Sequence, residues 1–214
     1  MYFQNEYIHN PAKAGFCMID CLSNHCPQTI FPVYTFWPYN RYMFSDPATN
    51  LAKLSLTEGM RVVDLGAGSG FYSIEAAKKV GSSGRVYAVD VQKDLLERLR
   101  SVASSQNLRN IEVVWGNAEK IGGTKLREGI ADRVIASNVL FQIEKPDEFS
   151  LEIKRILKKA GKLLLIDWSD ISNLSPKQVV PASKAQTLFE KNGFVLENTF
   201  GAGDHHYGLI FVRN

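Results

Sequence analysis

The sequence predicts one doubly wound α/β domain: a mostly parallel sheet with helices on both faces. Three observations carry this expectation. From Arg61 onward, short β-rich runs alternate with longer stretches of helical period. A glycine-rich turn, Gly66-Ala67-Gly68-Ser69-Gly70, joins the first run to a helical stretch beginning near Phe71. The last two runs are too close together for a helical crossover, so they should close the sheet as an antiparallel hairpin.

The strands follow in order. Arg61–Leu65, Arg85–Asp90, Ile111–Trp115 and residues 133–137 are short and flanked by polar or glycine-containing turns. Continuous apolar runs such as Val134-Ile135-Ala136 suit strands buried on both faces. A fifth strand, 162–167, follows Ala160 and Gly161, which read as the stop of a helix with Phe149, Ile153, Ile156 and Leu157 on one stripe. The sixth and seventh strands, 194–200 and 207–212, are separated by a loop over 201–206. Ahead of the first strand, Ser45 and Asp46 before Pro47 start a helix that should carry Leu51 and Leu54 into the core. The chain divides on this reading into an extension, 1–56, and a domain, 57–214.

With 214 residues and 45% apolar content, the chain can bury one substantial core but not two full domains. Its net charge of +3 is spread along the sequence, and neither demands nor excludes a nucleic acid. The longest apolar runs, such as 163–166, are strand-sized, so no membrane insertion is expected. Residues 1–11 lack the basic-then-apolar pattern of a secretory signal, and an odd number of cysteines in one short segment fits reduced thiols. A cytoplasmic protein, monomer or homodimer, is the expectation.

The glycine turn can bend sharply, bring its backbone against a ligand, and aim helix N-terminal amides at an anion. A tight turn with no ligand is the alternative. Asp90 ends the second strand 20 residues after Gly70, where a carboxylate can accept from both ribose hydroxyls of an adenosine-containing cofactor. Its alternative is a helix cap before Gln92.

Taken together, Asp64-Leu65-Gly66-Ala67-Gly68-Ser69-Gly70, Asp90, Gly116-Asn117-Ala118-Glu119 and Ala136-Ser137-Asn138-Val139-Leu140 resemble the successive motifs of class I S-adenosylmethionine-dependent methyltransferases, especially the quinone-biosynthesis type. The resemblance covers about residues 61–168, and the closing hairpin also fits it. It implies a Rossmann-like sheet in the order 3-2-1-4-5-7-6, with S-adenosylmethionine as cofactor, S-adenosylhomocysteine as product, and the site across the carboxyl ends of the first, second and fourth strands. It further implies that Gly66 and Gly68, in a turn completed by Ala67 and Gly70, border the methionine part. Asp90 would take the ribose, Val91 and Ala118 the adenine faces, and Asn138 the methionine ammonium side, with Asp64 acting nearby through the turn or a water. One departure is Asn117, where the family usually has aspartate; its amide oxygen can still accept from the adenine amino group, without a charge. The G-x-G-x-G spacing and the long leading extension count against NAD.

A sulfonium already activates its methyl group, so the protein has mainly to hold a nucleophile in line and exclude water. A base is needed only where the acceptor must lose a proton. Asp204, His205 and His206 are the candidates, an imidazole accepting the proton and Asp204 orienting it; a polar hairpin with solvated or capping histidines is the alternative. Phe141 reads as pocket wall or core, and Asp167 and Trp168 as pocket lining or a simple strand end. Trp37 and Tyr39, in an aromatic and proline-rich run with Tyr34 and Phe36, read as a lid over an apolar acceptor pocket, or as sheet cover or dimer contact. Cys17, Cys21, His25 and Cys26 could supply metal ligands, but no paired Cys-x-x-Cys is present and Phe16, Ile19 and Leu22 suit a buried helix, so no metal is expected. The acceptor is read as a small, partly apolar molecule. An RNA or protein substrate is the alternative within the class, and a noncatalytic adenosyl-ligand-binding protein the alternative outside it.

Overall fold

The computed structural model describes residues 46–169 and 175–214. Asp46 sets the first element: its carboxylate accepts the N–H groups of Ala48 and Thr49, both at 3.3 Å, and Pro47 takes the first helical position, where a missing N–H costs nothing. The resulting helix α1 (Pro47–Ala52) is short, but Leu51 and the following Leu54 are fully buried, as expected, in one cluster with Val62, Ala76, Val80 and Val86. Their burial ties this part of the expected extension to the core of the sheet.

The remaining elements are β1 (Arg61–Leu65), α2 (Phe71–Val80), β2 (Arg85–Asp90), α3 (Lys93–Ser105), β3 (Ile111–Trp115), β4 (Ala131–Ser137), a 3-10 turn (Leu140–Gln142), α4 (Pro146–Ile156), β5 (Leu157–Trp168), α5 (Ala182–Lys191), β6 (Phe194–Gly203) and β7 (His206–Arg213). The sheet runs β3-β2-β1-β4-β5-β7-β6, the expected order. Its first five strands are parallel, and β7 is antiparallel to both neighbours. Alternation along the strands divides the core into two layers. Val63, Leu65, Val134, Ala136, Leu163 and Leu165 join Phe149 and Ile153 of α4 and Phe189 of α5 on one face. Val62, Ile135, Leu164 and Ile166 meet α1 and α2 on the other. Order reverses between β1 and β4, the switch point at which open α/β sheets leave a crevice beyond the strands' carboxyl ends.

Three boundaries differ from expectation. The helix does not run through Leu157 to Ala160 and Gly161; α4 stops at Ile156, and Leu157 is extended, fully buried and paired with Ala131. Burial of Leu157 against the sheet outweighs local helix preference, and β4 gains two residues at its start. The chain then loops out, because the next register pair is Arg133 with Lys162, and Ala160 sits in the left-handed region at φ 56°. At the other end, β6 and β7 each extend further than expected, so the hairpin is closed by Asp204 and His205 alone, with His206 already paired to Gly203 and Trp168. Among the described residues, no helix is long and apolar enough to cross a membrane.

Candidate cofactor and acceptor site

The crevice begins at the turn leaving β1. Gly66, Gly68 and Gly70 all have positive φ, at 68°, 54° and 85°. Space as well as conformation requires two of them: a Cβ on Gly66 would lie 2.8 Å from Val139 Cγ2, and one on Gly70 only 2.1 Å from Leu99 Cδ1. The N–H groups of Gly66 and Ala67 both donate to the Val89 carbonyl, at 2.9 and 3.1 Å, which pins the turn to β2.

Asp90 ends β2 and is 7% exposed. Its Oδ2 accepts the Gly68 N–H at 2.9 Å and its Oδ1 accepts the Gln92 N–H at 2.8 Å. One carboxylate thus holds the glycine turn and the local turn ahead of α3, whose N-cap is Gln92 rather than Asp90, and each oxygen keeps further acceptor capacity. Asp64 is also buried, and accepts the Ser73 hydroxyl at 2.6 Å. Burial pushes its pKa up to about 7; the Ser73 hydrogen bond opposes that and the charge of Asp90 adds to it. Its hydrogen bond therefore runs to the first turn of α2, past the glycine turn.

Val91 is 56% exposed beside this turn, and its carbonyl accepts the Trp115 indole N–H at 3.0 Å. The ammonium groups of Lys93 and Lys125 lie 4.1 and 4.7 Å from the Trp115 ring centroid. Asn117 Oδ1 accepts the Glu119 N–H at 2.8 Å, forming a local turn next to Ala118. In that task an amide oxygen does the work of a carboxylate, which accounts for the tolerance of asparagine here.

On the other side of the crevice, Asn138 adopts the left-handed region at φ 55°, which asparagine tolerates, and its N–H donates to the Ile166 carbonyl at 2.9 Å. Among the described residues, its Oδ1, the Ser137 hydroxyl and the Tyr207 hydroxyl are buried without a hydrogen-bond partner. Asp167 is fully buried; Oδ2 accepts the N–H groups of Leu140 and Phe141 at 2.8 and 3.3 Å, and Oδ1 that of Trp168 at 2.8 Å. Burial raises its pKa to about 6 against the pull of those three donors. Tyr207 faces Asp167 across the β5–β7 ladder; burial, then that neighbouring carboxylate, push its hydroxyl far above the usual tyrosine range. Phe141 is half-buried beside this group.

The hairpin candidates separate. His206 is buried, with its ring centroid 4.2 Å from that of Trp168, whereas Asp204 and His205 are exposed in the turn. The contact from Asp204 to His206 Nδ1, at 2.7 Å, is made by its backbone carbonyl. Trp37, Tyr39, Cys17, Cys21, His25 and Cys26 lie outside the described residues. Among the described residues, no group of three or more His, Cys, Asp or Glu side chains could hold a metal ion.

Comparison with known proteins agrees with the expected resemblance. The chain is 32% identical over 119 residues to a probable cobalt-precorrin-6B C(15)-methyltransferase of Saccharolobus solfataricus, covering 55% of this chain and 57% of that protein. It is 29% identical over 116 residues to a ubiquinone/menaquinone biosynthesis C-methyltransferase of Haemophilus ducreyi, covering 52% and 42%. The chain matches 37 to 57% of the length of the first such relatives. A solved SAM-dependent methyltransferase from Aquifex aeolicus superposes with a TM-score of 0.74 at 28% identity, over 81% of this chain and 93% of that one. The family model of the methyltransferase domain matches residues 56–201. That span takes in the glycine turn, Asp90, the loop after β3, Asn138 just beyond β4 and Asp167 of β5, and the chain therefore belongs to the methyltransferase domain family.

Proposed function

We propose that this protein binds S-adenosylmethionine across the carboxyl ends of β1, β2 and β4, transfers its methyl group to a small, partly apolar acceptor, and releases S-adenosylhomocysteine. The observation that carries the reading is the bond between the Asp90 carboxylate and the Gly68 N–H, which joins the expected ribose acceptor to the left-handed glycine turn. Gly66, Ala67, Gly68 and Gly70 border the methionine part on this reading, and Val91, Asn117 and Ala118 surround the adenine. The unpartnered Oδ1 of Asn138 supports its role as acceptor for the methionine ammonium.

The bound cofactor supplies a methyl group already activated for displacement, so the chain's own task is orientation and exclusion of water. Trp168 and Phe141 serve as apolar walls, and the Ser137 and Tyr207 hydroxyls offer hydrogen bonds to an acceptor. His206 is the favoured base among the hairpin residues, because its ring is held against Trp168 rather than exposed. Within the extension 1–56, the lid is assigned to the part ahead of α1, with Trp37 and Tyr39 as its acceptor-lining residues, a reading supported by their aromatic and proline-rich surroundings. A cytoplasmic setting is supported by the cysteine pattern.

Thermal denaturation with S-adenosylhomocysteine or NAD tests the cofactor: stabilisation by the first is expected, and stabilisation by NAD alone would overturn the reading. Methyl transfer from labelled cofactor is then screened against small-molecule, RNA and protein pools, with Asp90→Ala as the control.

A further inference from the structure

Glu152 lies on α4, outside the crevice, and has no exposed surface. A buried carboxylate persists only where donors and a counter-charge replace water. Two sources provide them. From its own helix, Arg155 donates Nε to Oε2 and Nη2 to Oε1, both at 2.7 Å. From the loop after β3, Gly122 N–H donates to Oε2 at 2.7 Å, and Thr124 donates its N–H at 3.3 Å and its hydroxyl to Oε1. Burial alone would raise the carboxyl, but Arg155, Thr124 and Gly122 together hold it below the ordinary range.

The same loop is anchored a second time. Glu119 Oε2 accepts the N–H groups of Glu144 and Lys145, at 3.0 and 3.2 Å, just ahead of α4. Inside the loop, the Asn117 N–H bonds the Gly123 carbonyl at 3.0 Å and the Gly123 N–H bonds that of Lys120 at 2.8 Å. Asn117 and Ala118 therefore sit in a closed loop that α4 grips at its fully buried Thr124 and that the segment entering α4 grips at Glu119.

We propose that Glu152 is a positioning residue for recognition of the cofactor's base: by clamping Gly122 and Thr124 it fixes the Asn117–Ala118 wall, so that adenine is selected over hypoxanthine. The inference rests on the reading that Asn117 and Ala118 face the adenine. The chemistry of selection is direct. One lone pair of Asn117 Oδ1 is taken by the Glu119 N–H, which orients the second. That second lone pair accepts from the 6-amino group of adenine but opposes the 6-oxo group of hypoxanthine. Such rejection requires an acceptor that cannot turn away.

The test is the ratio of dissociation constants for S-inosylhomocysteine and S-adenosylhomocysteine, measured by titration calorimetry on the full chain. A wild-type ratio of about thirtyfold or more is expected, a range set by one misplaced hydrogen bond in a buried site. Glu152→Gln, which turns an N–H2 against one of the clamp's donors, should weaken S-adenosylhomocysteine about tenfold and bring the ratio below about fivefold. Thr124→Val, a gentler change from the loop side, should move the ratio the same way by a smaller factor and serves if Glu152→Gln does not fold. A purely structural role would lower the melting temperature and weaken both ligands alike; an unchanged ratio in the folded variants overturns the inference. Asn117→Ala separates the two layers of argument. If it collapses the ratio while the Glu152 and Thr124 variants do not, only the clamp is wrong. If the wild-type ratio is near one, or Asn117→Ala leaves it intact, the adenine assignment itself fails.

Discussion

The two halves of the sheet's carboxyl edge treat their buried polar groups differently. Around β1, β2 and β3, Asp64 has Ser73, Asp90 has Gly68 and Gln92, and Asn117 has Glu119. Around β4, β5 and β7, the Ser137 hydroxyl, Asn138 Oδ1 and the Tyr207 hydroxyl are buried without partners among the described residues. An unsatisfied buried group costs about 1–3 kcal/mol, so the second half carries a penalty that a bound molecule can relieve. The first half is satisfied within the chain; on the proposed reading, the second is completed by the cofactor's amino-acid end and the acceptor.

The largest test of that contrast is Asp90→Ala. It removes the proposed ribose acceptor and orphans the Gly68 N–H together, so S-adenosylhomocysteine affinity should fall about a hundredfold, roughly 3 kcal/mol, by calorimetry. A loss under fivefold would show that Asp90 is not the ribose acceptor.

The next is a pH series. Asp64 and Asp167 have pKa values raised from 3.8 to about 7 and about 6, so between about pH 4 and 7 the folded protein binds more protons than the unfolded chain. Stability should therefore fall as pH rises through that window, by up to about 1.4 kcal/mol per pH unit for each group, and flatten above it. Asp132 and Glu152, with lowered values, act in the opposite sense only at the acidic end. Urea denaturation across the window should show this slope, and Asp64→Asn should end it near pH 6; a slope unaltered by that substitution would remove Asp64 as its source.

Asn138→Gly keeps the left-handed backbone and deletes only the side chain. Affinity for S-adenosylhomocysteine should drop about fivefold to tenfold, with no change for 5′-methylthioadenosine, which has no amino-acid end. Equal losses for both ligands would move Asn138 away from the ammonium. The smallest effect is that of Tyr207→Phe, expected to raise stability by about 0.5–1 kcal/mol in thermal unfolding because it deletes an unpartnered buried hydroxyl. Destabilisation instead would place a partner on that oxygen and blur the contrast between the halves.

Local chemistry made the donor side readable. Three glycines stand where the turn after β1 takes positive φ, Asp90 follows at the spacing of one βα unit, and the short link after β6 forces an antiparallel pair. What escaped depends on contacts between distant residues. The stop of α4 is set by Leu157 meeting Ala131, and no local signal competes with Ala160 and Gly161 as the natural end. Asp204 was a reasonable carboxylate partner for a histidine, yet a two-residue turn leaves its side chain exposed and brings its carbonyl to His206. Glu152 reads as one more surface charge, since its loop partners lie 28 and 30 residues away. A usable signal was present: Glu152 falls on the same helical stripe as Phe149, Ile153 and Ile156, where a solvated carboxylate does not belong.

The place of β7 bears on the order in which the sheet can be assembled. It is inserted between β5 and β6 although it follows both in the chain, and among the described residues β6 has no other neighbour in the sheet. During synthesis, β6 therefore emerges with nothing to pair with, and the apolar edge of β5, from Leu163 to Ile166, stays open until His206–Arg213 has left the ribosome. The parallel strands β1 to β4 can form progressively, each beside a neighbour already made or soon to follow, while β5 and β6 are joined only when β7 arrives between them. A nascent chain paused before residue 206 would be the species most in need of a chaperone.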